Sequence, residues 1–405
     1  MLRARIQAAF FTWGWLLIAF FPVLQLAGRA AFTFMSAVYL LWAMFSLAGT
    51  RVEIDRRLAL CYALLMVAFA LGIPQAQDST KALGEWSKYL AYSLVFWWIY
   101  ATLQQIDNGV QRFIAALGVS GLLLTAALYV KLFFDIQCSD FVPAHHMRED
   151  NLPLLAPFVL YWLSQHSRKP LGRWLAVPVI AAIGYYVVLS EGRAALVGLV
   201  VALFCYAMLV LRWRAYVALL CALALLAAAV AMSGKDFLRG AQAHRSFTDI
   251  IDVATNYRSA LWRQAVATPP PNPLIGVGMS NTARYESVVT VRRPDGSTAR
   301  LGHLHNFILD AWYENGWIGL AALLWWLGLL LFRGVQSWRV APSVDLGVLL
   351  AGVIAILANA SLSYSYASRQ FNFYMFALLA AIAFLSKLAF NPSGPTLQGS
   401  RPPSK

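Results

Sequence analysis

Long apolar runs alternate with short polar segments along almost the whole chain. A helix needs roughly 20 mostly apolar residues to cross a bilayer. Runs of about that length predict spans at 8–27, 30–49, 58–74, 84–103, 113–134, 152–164, 174–190, 194–211, 215–232, 316–332, 344–363 and 371–389. The sixth run is short and contains Pro153 and Pro157, which favours a kinked, tilted or re-entrant helix. The pattern therefore predicts an all-α integral membrane protein with about 12 transmembrane helices.

One polar segment, residues 233–305, is far longer than the other loops. Long loops without secondary structure of their own are uncommon, so we expect this one to be partly helical. The predicted organisation is nine transmembrane helices within residues 1–232, the loop domain 233–305, three further helices within 306–390, and a disordered tail at 391–405.

The distribution of basic residues predicts the orientation of the chain. Cytoplasmic loops of membrane proteins are enriched in Lys and Arg. With the N-terminus inside, basic residues fall in every cytoplasmic segment, most weakly in 104–112, whereas the short outside loops carry one each. We therefore place both termini in the cytoplasm and the long loop on the opposite face.

Composition supports the membrane class and excludes others. Apolar residues make up 60% of the chain and charged residues only 12%, against about half and a quarter in soluble proteins. The net charge of +14 does not indicate nucleic acid binding, because the basic residues do not form one tract. The cysteines at 61, 138, 205 and 221 have no metal-site or disulfide-framework spacing, so we predict no metal and no cofactor.

Within the long loop, residues 246–267 show a helical stripe of apolar positions. Ser246 and Asp249 have the spacing of a capping box at its start. Arg258 falls inside the stripe, and a charge on an apolar face needs a partner or a purpose. Arg263 lies on a different face and is more simply explained as a solvated side chain.

Further polar groups fall on the same predicted outer face. Arg193 follows Glu191 at the mouth of two helices, where it either snorkels, pairs with Glu191 or binds a phosphate. His303 and His305 stand where the long loop re-enters the membrane; they are either structural or hold and move a proton. Arg148 lies in a mixed-charge loop and is a secondary phosphate candidate.

Three stretches around these residues resemble the O-antigen ligase and polymerase superfamily of bacterial inner-membrane glycosyltransferases. They are LSEGRAALVGL at 189–199, NYRSALWRQAVATPPPNPLIGVG at 256–278 and HLHNFILDAWYENGWIGL at 303–320. Their order and spacing agree with the family pattern. Glu191 departs from it, because the family often has a small residue at that position.

The resemblance implies transfer of a glycan from undecaprenyl diphosphate to a sugar hydroxyl of lipid A-core, on the periplasmic face of the inner membrane. Such an enzyme is metal-independent and inverting. Arg193 and Arg258 then match the arginines that grip the diphosphate, and His305 matches the histidine at the acceptor. His303 and Glu191 remain as alternative bases, and Arg148 and Arg263 as further diphosphate ligands.

The sequence is also compatible with other functions. An O-antigen polymerase has a compatible size, whereas a protein O-oligosaccharyltransferase usually carries an additional C-terminal region. A secondary transporter would also suit twelve spans, but transporters place ionisable groups near the membrane midplane. Here the predicted spans are almost bare of charge at mid-height, which favours the enzyme.

Overall fold

The computed structural model describes residues 2–24, 28–48, 50, 52–134, 151–166, 170–190, 192–211, 252, 255, 257–292 and 298–390. The predicted ninth span at 215–232, the capping box at Ser246, most of the long loop before Tyr257, and the tail at 391–405 lie outside these residues.

Helices occupy every predicted span that falls within the described residues. In chain order they are α1 (Leu2–Ala9), α2 (Trp15–Ala19), α3 (Phe21–Leu24), α4 (Gly28–Leu47), α5 (Arg56–Ala70), α6 (Ser79–Ser93), α7 (Val95–Leu103), α8 (Gly109–Phe133), α9 (Asn151–His166), α10 (Pro170–Leu189), α11 (Arg193–Tyr206), α12 (Arg258–Ala267), α13 (Glu286–Val289), α14 (Phe307–Val340), α15 (Val344–Ala360) and α16 (Arg369–Phe390). Short π-helical segments cover Phe10–Gly14 and Ala207–Leu211. The predicted predominance of helix is confirmed.

Four of the described helices are long and apolar enough to cross a membrane: Gly109–Phe133, Arg193–Leu211, Phe307–Val340 and Phe371–Ala389. The last is the most deeply buried of these four, with 78% of its most apolar 18-residue stretch buried inside the protein. A helix that is apolar on all sides belongs in such a position. These helices support the membrane class, while the total of about 12 spans stays a prediction.

Helices α11 and α15 pack antiparallel. A Cβ atom on Gly198 of α11 would lie 3.1 Å from Asn359 Cβ near the end of α15. At the other end, a Cβ atom on Gly347 would lie 3.2 Å from the carbonyl oxygen of Leu209. The start of α11 therefore lies beside the end of α15, which brings Arg193 to the same end of the bundle as the loop 361–368.

A sharp break in α14 receives part of the long loop. Gly316 has φ 64° and ψ −170° inside an otherwise helical segment. The N–H groups of Trp317 and Ile318, freed by this break, donate to the carbonyls of Pro273 and Leu274 at 2.9 and 3.0 Å. In return, the N–H of Gly278 donates to the Glu314 carbonyl at 2.8 Å. The NPLIGVG stretch at 272–278 thus replaces the hydrogen bonds that the broken helix has lost.

We expect Gly316→Ala to destabilise the protein strongly. Its φ and ψ belong to a region that is essentially restricted to glycine, with a cost of about 1–3 kcal/mol for other residues. A Cβ atom would also lie 2.2 Å from the Leu274 carbonyl carbon. The thermal unfolding midpoint in detergent measures the effect. Gly328→Ala in the same helix is the control, since no heavy atom lies within 4 Å of its Cβ position; equal midpoints for the two variants would contradict this role of the break.

The long loop contains two features that the sequence pattern did not predict correctly. The expected helix 246–267 is wrong as a continuous element, because Tyr257 has a left-handed φ of 62° and α12 begins at Arg258. The N–H of Tyr257 instead donates to the Asp252 carbonyl at 2.6 Å, which closes a turn. A small antiparallel ribbon also follows α13, with β1 (Thr290–Arg292) paired to β2 (Thr298–Arg300).

Candidate functional site

The two histidines lie on a turn that is fixed from both sides. Leu304 between them is fully buried. Its N–H donates to Asp310 Oδ1 at 2.8 Å, and its carbonyl accepts the Trp262 indole N–H at 2.8 Å. Asn306 then caps α14, because its side-chain oxygen accepts the backbone N–H groups of Ile308 and Leu309. The turn is thereby attached to both α12 and α14.

The backbone conformation of His305 and one hydrogen bond determine which of its ring nitrogens carries the proton. Its φ of 55° is left-handed, which is uncommon for a residue with a side chain. Its Nδ1 lies 3.2 Å from the Ser363 carbonyl oxygen. A carbonyl can only accept, so Nδ1 carries the proton. In the neutral ring the lone pair is then on Nε2, which gives this nitrogen the character of a base.

His303 supports the other histidine. The centroids of the two rings lie 4.0 Å apart, with the planes inclined by 38°. His303 Nδ1 accepts the backbone N–H of His305 at 3.0 Å and lies 3.5 Å from Asp310 Oδ2. Since its Nδ1 already accepts this hydrogen bond, the lone pair of that nitrogen is not available to take a proton from a substrate.

Arg258 is joined to the same place as His305. It is the first residue of α12, is partly buried, and donates from Nη1 to the carbonyl of Leu362. The next carbonyl along the chain, that of Ser363, binds His305. Consecutive carbonyls of the loop 361–368 therefore hold a guanidinium and an imidazole that are 47 positions apart in sequence.

Arg193 and Arg263 differ in their surroundings. Arg193 begins α11, five residues before Gly198. At a rise of 1.5 Å per residue, Arg193 lies about 7.5 Å from Gly198 towards the start of the helix. Because Gly198 packs beside Asn359, Arg193 is level with the loop that follows Asn359. Arg263 is half exposed and forms an ion pair with Asp252 at 2.5 Å, as expected for a solvated side chain. Arg148 and Glu191 lie outside the described residues.

Sequence reasoning missed two buried carboxylates in α14, the helix that follows the histidines. Asp310 is fully buried and Glu314 is 3% exposed, one helical turn apart on α14. Glu314 accepts hydrogen bonds from the Thr282 hydroxyl at 3.0 Å and from the Tyr366 phenol at 2.8 Å. Their spacing within an apolar stretch was the available signal, because acidic groups on an apolar helix face need partners.

The long loop is attached to the segment that precedes α6. The N–H of Asp78 donates to Asn281 Oδ1 at 3.0 Å, and Arg284 forms an ion pair with the Asp78 carboxylate. The backbone N–H of Lys81, together with the Arg284 charge, holds the pKa of Asp78 below its ordinary value. These contacts position the loop over the end of the bundle.

Among the residues that the structure describes, no three His, Cys, Asp or Glu side chains are grouped as metal ligands. The candidate site in this part of the chain therefore consists of arginine, histidine, carboxylate and backbone carbonyl groups. Its chemistry combines a cation suited to an anionic group with a base suited to a hydroxyl.

Comparison with known families identifies one match. Residues 178–324 match the sequence model of the O-antigen ligase family. The matched region contains all three stretches that carry the resemblance, together with Arg193, Arg258 and His305. No curated protein sequence matches the chain at a significant level.

Proposed function

We propose that the chain belongs to the O-antigen ligase and polymerase family, on the basis of the match over residues 178–324. We further propose that it transfers an O-antigen glycan from undecaprenyl diphosphate to a sugar hydroxyl of lipid A-core. The family supports a glycosyltransferase-type enzyme of O-antigen processing in a bacterial membrane. The proposal also places the protein in the inner membrane with both termini in the cytoplasm. The active site then faces the periplasm, and the lipid-linked donor enters it from the bilayer.

The observation that carries the proposal is the joint attachment of Arg258 and His305 to the carbonyls of Leu362 and Ser363. A transfer from a lipid diphosphate needs a cation at the leaving phosphate and a base at the attacking hydroxyl. The two groups must also be held in fixed relation, because positioning supplies much of the rate in such reactions. One short loop meets this requirement here.

In the proposed reaction, the acceptor hydroxyl oxygen attacks the anomeric carbon of the donor sugar from the face opposite the phosphate. His305 Nε2 takes the hydroxyl proton as the new carbon–oxygen bond forms. The bond between the anomeric carbon and the phosphate oxygen breaks, and undecaprenyl diphosphate leaves with the electron pair. Arg258 and Arg193 stabilise the negative charge that develops on it. A single displacement of this kind inverts the anomeric centre.

The remaining candidates have subordinate roles in this proposal. His303 and Glu191 are alternative bases, and Arg148 and Arg263 are secondary diphosphate ligands. Arg263 is the weaker of these two in the structure, since its guanidinium is already paired with Asp252.

The decisive experiment is transfer in vitro with purified protein, undecaprenyl diphosphate-linked glycan and lipid A-core. We expect glycosylated lipid A-core to form, and to form equally with a chelator present. Elongation of the lipid-linked glycan without lipid A-core would instead identify a polymerase. A requirement for added divalent metal, or movement of substrate across vesicles without transfer, would contradict the proposed mechanism.

A further inference from the structure

Asp310 is a carboxylate with an unusual position. It lies in the first turn of α14 and is completely buried. A buried carboxylate is costly unless it is hydrogen-bonded or paired with a positive charge. Its neighbours are therefore informative about its role.

The two oxygens of Asp310 face different parts of the histidine turn. Oδ1 accepts the N–H of Leu304, the peptide unit between the two histidines. Oδ2 lies 3.5 Å from His303 Nδ1 and accepts no hydrogen bond from any residue that the structure describes. One oxygen thus fixes the backbone, while the other places negative charge next to the imidazole pair.

We propose that Asp310 is a positioning residue for the base, an inference that rests on the proposed function. Through Leu304 it holds the turn in which His305 keeps its left-handed conformation. Its negative charge, next to the His303 ring that contacts the His305 ring, stabilises the imidazolium that forms when His305 takes the acceptor proton. Asp310 itself does not contact the reacting atoms in this role.

The other charged groups around the turn do not provide the same effect. Glu314, one turn further along α14, has both carboxylate oxygens occupied by Thr282 and Tyr366. Arg258 approaches from α12 and binds the loop carbonyl beside Ser363, so it opposes a positive charge on His305. Asp310 is therefore the described carboxylate that faces the histidine turn directly.

The test is Asp310→Asn, which retains an oxygen for the Leu304 N–H and removes the negative charge. We expect kcat to fall about tenfold, while KM for donor and acceptor stays within about twofold. In the dependence of kcat on pH, the acid limb should move about one unit towards lower pH. The shift is to lower pH because the variant lacks the charge that favours the protonated ring. Glu314→Gln is the matched control and should leave the limb in place.

Three outcomes overturn the inference. The first is that Asp310→Asn leaves both kcat and the acid limb of the pH profile unchanged. The second is that its lower activity is fully explained by a smaller folded fraction, with the acid limb unshifted. The third is that Glu314→Gln shifts the acid limb as far as Asp310→Asn does. The variant Asp310→Asn should also have a smaller effect on the limb when His303 is already alanine. An inactive wild-type protein would refute the proposed function and this role together, whereas an active wild type with an unshifted variant refutes this role alone.

Discussion

Replacing His305 with alanine should reduce glycan transfer by about 10²–10⁴-fold, the usual contribution of a positioned general base. The neutral His305 ring bears its lone pair on Nε2, because Nδ1 donates to the Ser363 carbonyl. Removing the ring removes the proton acceptor but leaves the guanidinium of Arg258 on its own loop carbonyl. Donor binding should therefore remain within about twofold of wild type. Single-turnover transfer and equilibrium donor binding, measured on the same preparation, separate the two effects.

His303→Ala provides the comparison for this experiment. It removes the neighbouring ring and the Nδ1 acceptor of the His305 N–H but leaves the His305 ring in place, so a smaller loss of rate is expected. If His303→Ala abolishes transfer and His305→Ala does not, the base is His303. If His305→Ala abolishes donor binding, His305 belongs to the diphosphate site.

Replacing Arg258 with lysine should lower kcat/KM for the lipid-linked donor by about 10²-fold, even though the positive charge is retained. The guanidinium donates from Nη1 to the Leu362 carbonyl, and the planar fork of an arginine suits bidentate contact with a phosphate. A lysine ammonium is a point charge on a flexible stem and does not reproduce both contacts in one geometry. Steady-state kinetics at varied donor concentration measures the loss.

Arg300→Lys is the matched control, because Arg300 is an exposed guanidinium of the same loop whose ion pair with Glu286 lies on the surface. Its kinetics should stay close to wild type, as exposed ion pairs contribute little. Full activity in Arg258→Lys, or an equal loss in Arg300→Lys, would contradict the assignment of Arg258 to the diphosphate.

Local patterns were informative where one physical requirement dominated. Apolar length identified the helices, since a spanning helix must be both long and apolar. A charge among apolar positions needs a partner, and Arg258 donates to the Leu362 carbonyl. The continuous helix 246–267 failed because a left-handed residue at Tyr257 leaves no mark in hydrophobic periodicity. The small ribbon β1–β2 is equally invisible to an argument about apolar runs.

The sequence by itself determined the membrane class, the helical character and the resemblance of three stretches to a known family. Hydrophobic length, charge bias and motif spacing are properties of the chain that do not depend on its folding. Only the tertiary structure decided that the Leu362 and Ser363 carbonyls join Arg258 to His305, and that Asp310 lies beneath the histidine turn. The two carbonyl contacts link residues 104 and 58 positions apart in sequence, and a backbone carbonyl carries no side-chain signature that a sequence could reveal.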